Sequence, residues 1–265
     1  MKYVLGSTKQ EVKRLEIQSA IFEKETLRTL KCVGIKPGMR CLDLGCGTGN
    51  TTLLIADLIG KNGKVFGLDI NQDRISVCKR KAMMNDVNNA IFVVDDVYST
   101  KFENSSFDFV FSRFLFQHLT DSQKALKEML RLTCRGGIIA AEELDHGLWL
   151  SYPDDPNLEI LRRAYVKILK LTGSDPFIAR KLYKLFLQNG LKPKVETYSV
   201  CVPMNNNPYS MVGVFMAEIL EEKILKDGIM SKREFKKMLD GLKAYTKRPD
   251  GLVLYALTFR AWGKK

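Results

Sequence analysis

Between residues 8 and 33 the apolar positions Leu15, Ala20, Phe22, Leu27 and Leu30 recur at helical spacing, and Gly34 stops the run. Pro37-Gly38 marks a turn, after which residues 39–44 read as a short buried strand running into glycines. The pattern then alternates. Helix is predicted over 50–59, strand over 65–68, helix over 72–85 and strand over 91–94. A further strand covers 109–112, a helix 122–132, and Arg135-Gly136-Gly137 turns into a fifth strand over 138–141. Strand, helix, strand at this spacing means a doubly wound α/β fold, a mostly parallel sheet with helices on both faces.

Beyond Asp145 the rhythm changes. Pro153 and Pro156 break the chain, and Leu158, Leu161, Tyr165, Ile168 and Leu169 mark an amphipathic helix. Asp175-Pro176 predicts an N-cap with proline at the first helical position, the helix ending at Gly190. Residues 195–202 read as a strand, 205–208 as a loop, the stretch to 245 as two helices, and 252–262 as a closing strand rich in β-formers. The segments 146–174 and 205–249 look like insertions that cover one end of the sheet. One domain accounts for the 265 residues: a helical segment (1–35), an α/β core (36–145), and cap helices with the last strands (146–265).

Composition narrows the chemistry. Hydrophobic residues make up 45 % of the chain, and no apolar run is long enough to span a bilayer. With no apolar leader over residues 1–10, the expected location is cytoplasmic and no membrane partner is expected. Six dispersed cysteines without a C-x-x-C pair, beside two histidines, give no zinc-ligand spacing, so no metal site is expected. The net charge is +12, concentrated in residues 223–265, where twelve Lys or Arg face four Asp or Glu. That surplus fits a solvated helix face or an anionic partner, nucleic acid included.

The strongest local signal is Asp43-Leu44-Gly45-Cys46-Gly47-Thr48-Gly49, placed between a buried strand and a helix. Asp69 ends the next strand, where this kind of fold places the acid that holds a ribose diol. The loop is G-x-G-x-G rather than the dinucleotide pattern G-x-G-x-x-G, and it lacks the lysine of a phosphate loop. Asp43 at its mouth would repel a pyrophosphate and suits an ammonium. A ligand with ribose, adenine and a free amino acid fits these groups better than one with phosphates.

Residues 41–49 resemble the first motif of class I S-adenosylmethionine-dependent methyltransferases, and Phe66-Gly67-Leu68-Asp69-Ile70 resembles their second. Residues 93–97, 107–112 and 135–139 resemble the third, fourth and fifth. The resemblance implies a seven-stranded sheet and S-adenosyl-L-methionine as cofactor. By it, the loop glycines Gly45, Gly47 and Gly49, with Cys46, cradle the methionine part, and Asp43 lies near its amino group. Asp69 binds both ribose hydroxyls, Ile70 flanks the adenine, and Asp96 with the Val97 N–H reads it. Asp95 stands where such sequences often have glycine, so either Asp95 or Asp96 is the acid expected to bind the cofactor's adenine. Ser112 and Arg113 stand beside the sulfonium. The N-terminal segment is similar to a small-molecule subgroup whose first helix forms a lid, so that Tyr3, Arg14 and Gln18 meet the methionine carboxylate.

The implied reaction is in-line methyl transfer to an N or O atom of a small-molecule acceptor. A base is needed only if that atom must lose a proton. His118 reads as a packing residue, and His146, after the fifth strand, is the better candidate. Glu142, Glu143 and Asp145, with Trp149 and Tyr152, suggest a cationic amine as acceptor, one of the two glutamates capping the strand or pairing with a lid residue such as Arg14. A nucleic-acid or protein methyltransferase, and a cofactor-binding regulator without catalysis, are the alternatives; the oligomeric state is left open.

Overall fold

The computed structural model describes residues 5–6 and 8–265. Helix α1 (Lys9–Val33) opens at Thr8, whose hydroxyl accepts from the Glu11 N–H, and closes at Gly34 in the left-handed region. Then come β1 (Arg40–Leu44), α2 (Asn50–Ile59), β2 (Lys64–Asp69), α3 (Gln72–Met84), β3 (Ala90–Val94), β4 (Phe107–Arg113), α4 (Ser122–Leu132) and β5 (Thr133–Asp145). The C-terminal part holds β6 (Leu150–Tyr152), α5 (Pro156–Leu171), α6 (Leu182–Gln188), β7 (Lys194–Tyr198), β8 (Cys201–Pro203), α7 (Val212–Lys226), α8 (Lys232–Tyr245), β9 (Leu252–Leu254) and β10 (Leu257–Lys264).

Seven strands form one sheet in the order β3-β2-β1-β4-β5-β10-β7. The first five are mutually parallel, and β10 runs antiparallel to both β5 and β7. The chain winds outward from β1 through β2 to β3, then crosses back to β4 on the other side of β1. This reversal opens a crevice at the carboxyl ends of β1 and β4, where such sheets bind ligands. One face of the sheet packs Phe107 and Val110 against Leu126 and Met129 of α4 and Phe186 of α6. The other packs Val65, Phe109 and Phe111 against Leu30 of α1 and Ile55 and Ile59 of α2. A separate apolar cluster joins α5, α7 and α8.

Three expectations fail in detail. The single strand expected over 195–202 is two, β7 in the large sheet and β8 in a three-stranded sheet ordered β6-β9-β8. The closing strand divides in the same way into β9 and β10. The two breaks face each other, with the Tyr255 N–H donating to the Val200 carbonyl at 2.9 Å, so one antiparallel ribbon bends from one sheet into the other. A run of β-formers shows extended chain and carries no sign of which sheet it joins. The helix expected from Pro176 starts only at Leu182, after a 3-10 turn at Ala179–Lys181, because the Asp175 carboxylate holds a tight turn by accepting from the Phe177 N–H.

Candidate functional site

The glycine loop is held from below. The N–H groups of Gly45 and Cys46 both donate to the Leu68 carbonyl, at 2.7 and 2.8 Å, so the loop folds back over the end of β2. Gly45 has φ +77°, and a Cβ there would come within 2.7 Å of the Leu115 side chain. Gly49 caps α2 with φ +83°, and a Cβ there would meet Cys78 Sγ at 2.9 Å. Gly49 therefore serves helix packing and does not line the cavity above the loop, whereas Gly45, Cys46 and Gly47 do.

Asp43 and Asp69 both face that cavity and both are nearly inaccessible to solvent. Asp43 accepts from the Thr52 hydroxyl at 2.6 Å. Burial pushes its carboxyl up to about 6, with Thr52 and the positive charge of Arg113 pulling the other way. Asp69 accepts from Gly47 N–H at 3.0 Å on one oxygen and from Asn71 N–H at 2.9 Å on the other. Burial raises it as well, against Arg74, whose guanidinium lies 3.8 Å away. The Ile70 N–H also favours the charged form, and the carboxylate still keeps acceptor capacity toward the cavity.

Around these acids, Ile70 is half exposed at the rim, and Val97 is buried in the wall. Asp96 reaches the cavity while its Oδ1 accepts from the Tyr98 N–H at 2.9 Å. Asp95 does not: its oxygens accept from Asp96 N–H and Lys101 N–H, each at 2.9 Å, so it braces the turn. Arg113 lines the cavity and binds α1, donating to Thr26 Oγ1 at 2.9 Å and Ser19 Oγ at 3.3 Å. Ser112, next along β4, points to the other face, sealed in the core and away from the cavity. On α1, Arg14 and Gln18 border the same cavity. Arg14 sets two donors on Glu11, at 2.7 and 2.9 Å, and one on Gln18 at 3.2 Å. Tyr3 lies outside the described residues.

The acids of β5 do not form an amine site. Alternation sends Glu142 to the α1 side, where it accepts from Thr29 at 2.7 Å, Thr26 at 3.3 Å and Tyr198 at 2.7 Å. Glu143 goes to the opposite side and accepts from the backbone N–H groups of Leu115 and Phe116 at 2.7 Å and Gln117 at 3.3 Å. Burial pushes Glu143 up to about 8 in spite of these three donors. Neither glutamate lines the cavity, and neither pairs with Arg14, whose carboxylate partner is Glu11. Asp145 is engaged by Arg180, and Tyr152 is largely exposed on the outside. These carboxylates are spent on fixing the ends of β4 and β5 and the seat of α1.

His146 does line the cavity, but its ring is fully engaged. Its Nδ1 accepts from the Trp149 indole N–H at 3.3 Å, which leaves Nε2 to donate to the side-chain oxygen of Gln117. Burial lowers it to about 3, so it is neutral at physiological pH with no lone pair directed at a ligand. His118 also borders the cavity, and burial lowers it to about 3 as well.

Sequence reasoning missed the far side of the cavity, whose whole volume is about 220 Å³. That side is walled by the cap: Tyr165 of α5, Val214 of α7, Leu242 of α8, and Tyr255 at the bend of the ribbon. Amphipathic spacing marked the apolar faces of these helices but carries no information on whether such a face meets another helix or an internal space.

The family model described as a methyltransferase domain matches residues 35–172, just over half of the chain. A demethylmenaquinone methyltransferase of Staphylococcus aureus is 31 % identical over 143 residues, 54 % of this chain and 55 % of that protein. The chain thus spans about half the length of the curated relatives it matches. Among solved structures, a SAM-dependent methyltransferase from Aquifex aeolicus aligns with a TM-score of 0.57 and 18 % identity, over 73 % of this chain and 94 % of the other. The Haemonchus contortus phosphoethanolamine N-methyltransferase 2 in complex with S-adenosyl-L-methionine aligns with a TM-score of 0.59 and 21 % identity, over 94 % of this chain and 56 % of the other. These structures share the fold, and the family match, laid over the glycine loop and β1 to β5, makes this chain a member of the methyltransferase-domain family.

Proposed function

We propose that this chain is an S-adenosylmethionine-dependent methyltransferase acting on a small molecule held under its helical cap. The observation that carries the reading is Asp69. Its carboxylate faces the cavity beside the glycine loop, held by backbone N–H groups and with acceptor capacity to spare, which is what a vicinal diol needs. The other groups fit the same ligand. Asp43, a buried carboxyl pushed up to about 6, is mostly charged at neutral pH and would be held in that form by an ammonium. Arg14 and Gln18 would meet the carboxylate, and Asp96 with the Val97 N–H would read the adenine edge. Family membership supports the reading, as do the methyltransferase relatives.

When bound, this cofactor supplies a methyl group already activated by its sulfonium. The chain's own work is then to align the acceptor and exclude water. The cap does the second by closing an apolar wall over the strand ends. Arg113, tied to Ser19 and Thr26, holds α1 in place beside the transfer end.

The test is a calorimetric titration with S-adenosylhomocysteine, followed by methyl transfer from labelled cofactor to pools of small molecules, nucleic acid and protein. Binding and a labelled small molecule are expected. Absence of binding refutes the reading. A labelled nucleic acid would shift it to the alternative that the exposed basic residues of α8, Lys232, Arg233, Lys236 and Lys237, would serve.

A further inference from the structure

The cavity divides along the chain by charge. Its lining from residues 14–118 includes Arg14, Asp43, Asp69, Arg74, Asp96 and Arg113. Its lining from residues 144–256 includes no Lys, Arg, Asp or Glu. Burying a charge without a partner is costly, so a chamber of the second kind excludes ions and accepts apolar surface.

Most polar side chains of the cap wall have their hydrogen bonds directed elsewhere. The Tyr245 hydroxyl lies 3.0–3.1 Å from the carbonyls of Tyr152, Pro153 and Leu252. Ser210 donates to the Asn207 carbonyl, Thr246 to the Lys243 carbonyl, and Trp149 to His146. Tyr255 differs. Its ring meets Phe22 of α1 edge-on at 5.7 Å, and it lines the cavity where the cap meets α1. Its hydroxyl makes no hydrogen bond among the described residues, yet it is not one of the polar atoms sealed away from space. Burial raises its phenol above the ordinary value, with the charge of Arg14 pulling weakly the other way, so it stays a neutral donor and acceptor at physiological pH.

We propose that the cap side of the cavity is an acceptor chamber for an uncharged, largely apolar molecule carrying a hydroxyl or carbonyl oxygen, and that Tyr255 positions that oxygen by hydrogen bonding. This rests on the methyl-transfer reading above and replaces the cationic amine suggested by the sequence. A cation would find the acids of β5 already bonded, and an anion beside Tyr255 would find the nearby Arg14 already paired with Glu11. A neutral molecule with one oxygen loses no solvation that Tyr255 cannot return.

The experiment uses four probes of one shape: 4-butylphenol, butylbenzene, 4-butylbenzoate and 4-butylbenzylamine. Each is titrated calorimetrically at neutral pH into the full chain, with and without S-adenosylhomocysteine, for wild type and Tyr255→Phe. The expected result is that the phenol binds at least about tenfold more tightly than the benzoate anion or the ammonium. Tyr255→Phe is expected to weaken the phenol by about fivefold to tenfold, the range of one hydrogen bond, and to leave butylbenzene unchanged. The fourfold comparison isolates the hydroxyl pair, since a merely structural role for Tyr255 would weaken both neutral probes alike. The proposal is overturned if either ion binds as well as the phenol, if the phenol does not bind, or if Tyr255→Phe affects both neutral probes equally or neither. Failure of S-adenosylhomocysteine itself to bind overturns the methyl-transfer reading, and this proposal with it. Binding of S-adenosylhomocysteine without the phenol overturns this proposal alone.

Discussion

Replacing Asp69 by alanine isolates the group on which the cofactor assignment rests. A carboxylate offers about four lone-pair positions; Gly47 N–H at 3.0 Å and Asn71 N–H at 2.9 Å use one on each oxygen, and Ile70 N–H also bears on the group. Arg74, at 3.8 Å, is an ion-pair neighbour beyond hydrogen-bond range. At least one position therefore remains for a ribose diol. Hydrogen bonds to a charged group contribute about 1.5–3 kcal/mol each, but those of a diol share one carboxylate and release bound water. A net loss of about 1.5–3 kcal/mol is expected, or roughly 10- to 150-fold in the dissociation constant of S-adenosylhomocysteine. The assay is calorimetry on wild type and variant, repeated with the 2′,3′-dideoxy analogue, which lacks the diol. The variant should bind the analogue as wild type does. Unchanged affinity for S-adenosylhomocysteine would remove Asp69 from the site. An equal loss with both ligands would show that the substitution had collapsed the glycine loop, which Asp69 also braces.

Burial raises Asp43 from an ordinary 3.8 to about 6, so without ligand its contribution to stability is greatest below 3.8 and is lost as pH rises through about 6. Affinity for S-adenosylhomocysteine should run the opposite way, weakening by up to about tenfold per pH unit below about 6 as the carboxylate is neutralised; an affinity flat across that range refutes the contact with the ammonium. Phe22 is fully buried and meets Phe114, Tyr198 and Tyr255 edge-on, so Phe22→Ala should cost about 3–5 kcal/mol, read as a lower urea midpoint with an unchanged slope. A loss under about 1 kcal/mol would mean that α1 is not fixed to the sheet through this ring.

The sequence by itself determined the frame. Alternating strands and helices with glycine turns between them dictated the parallel sheet, because each such signal is local: a period, a cap or a positive φ. The glycine loop, Asp43 and Asp69 were legible for the same reason, lying within a few residues of the strand ends that carry them. Asp95 and Asp96, adjacent in sequence, were not separable until the turn sent one to the cavity and the other to its own backbone. Glu142, Glu143 and His146 looked like free chemistry, and only the tertiary structure supplied their partners, from α1, from β7, from the turn after β4, and from Gln117 and Trp149. The apolar chamber was equally invisible, since an apolar helix face looks the same in sequence whether it meets another helix or a cavity. Hydrophobic periodicity is a property of neighbours along the chain, whereas a site's charge, free lone pairs and volume depend on what segments over a hundred residues apart leave unsatisfied where they meet, as Thr29 and Glu142 do.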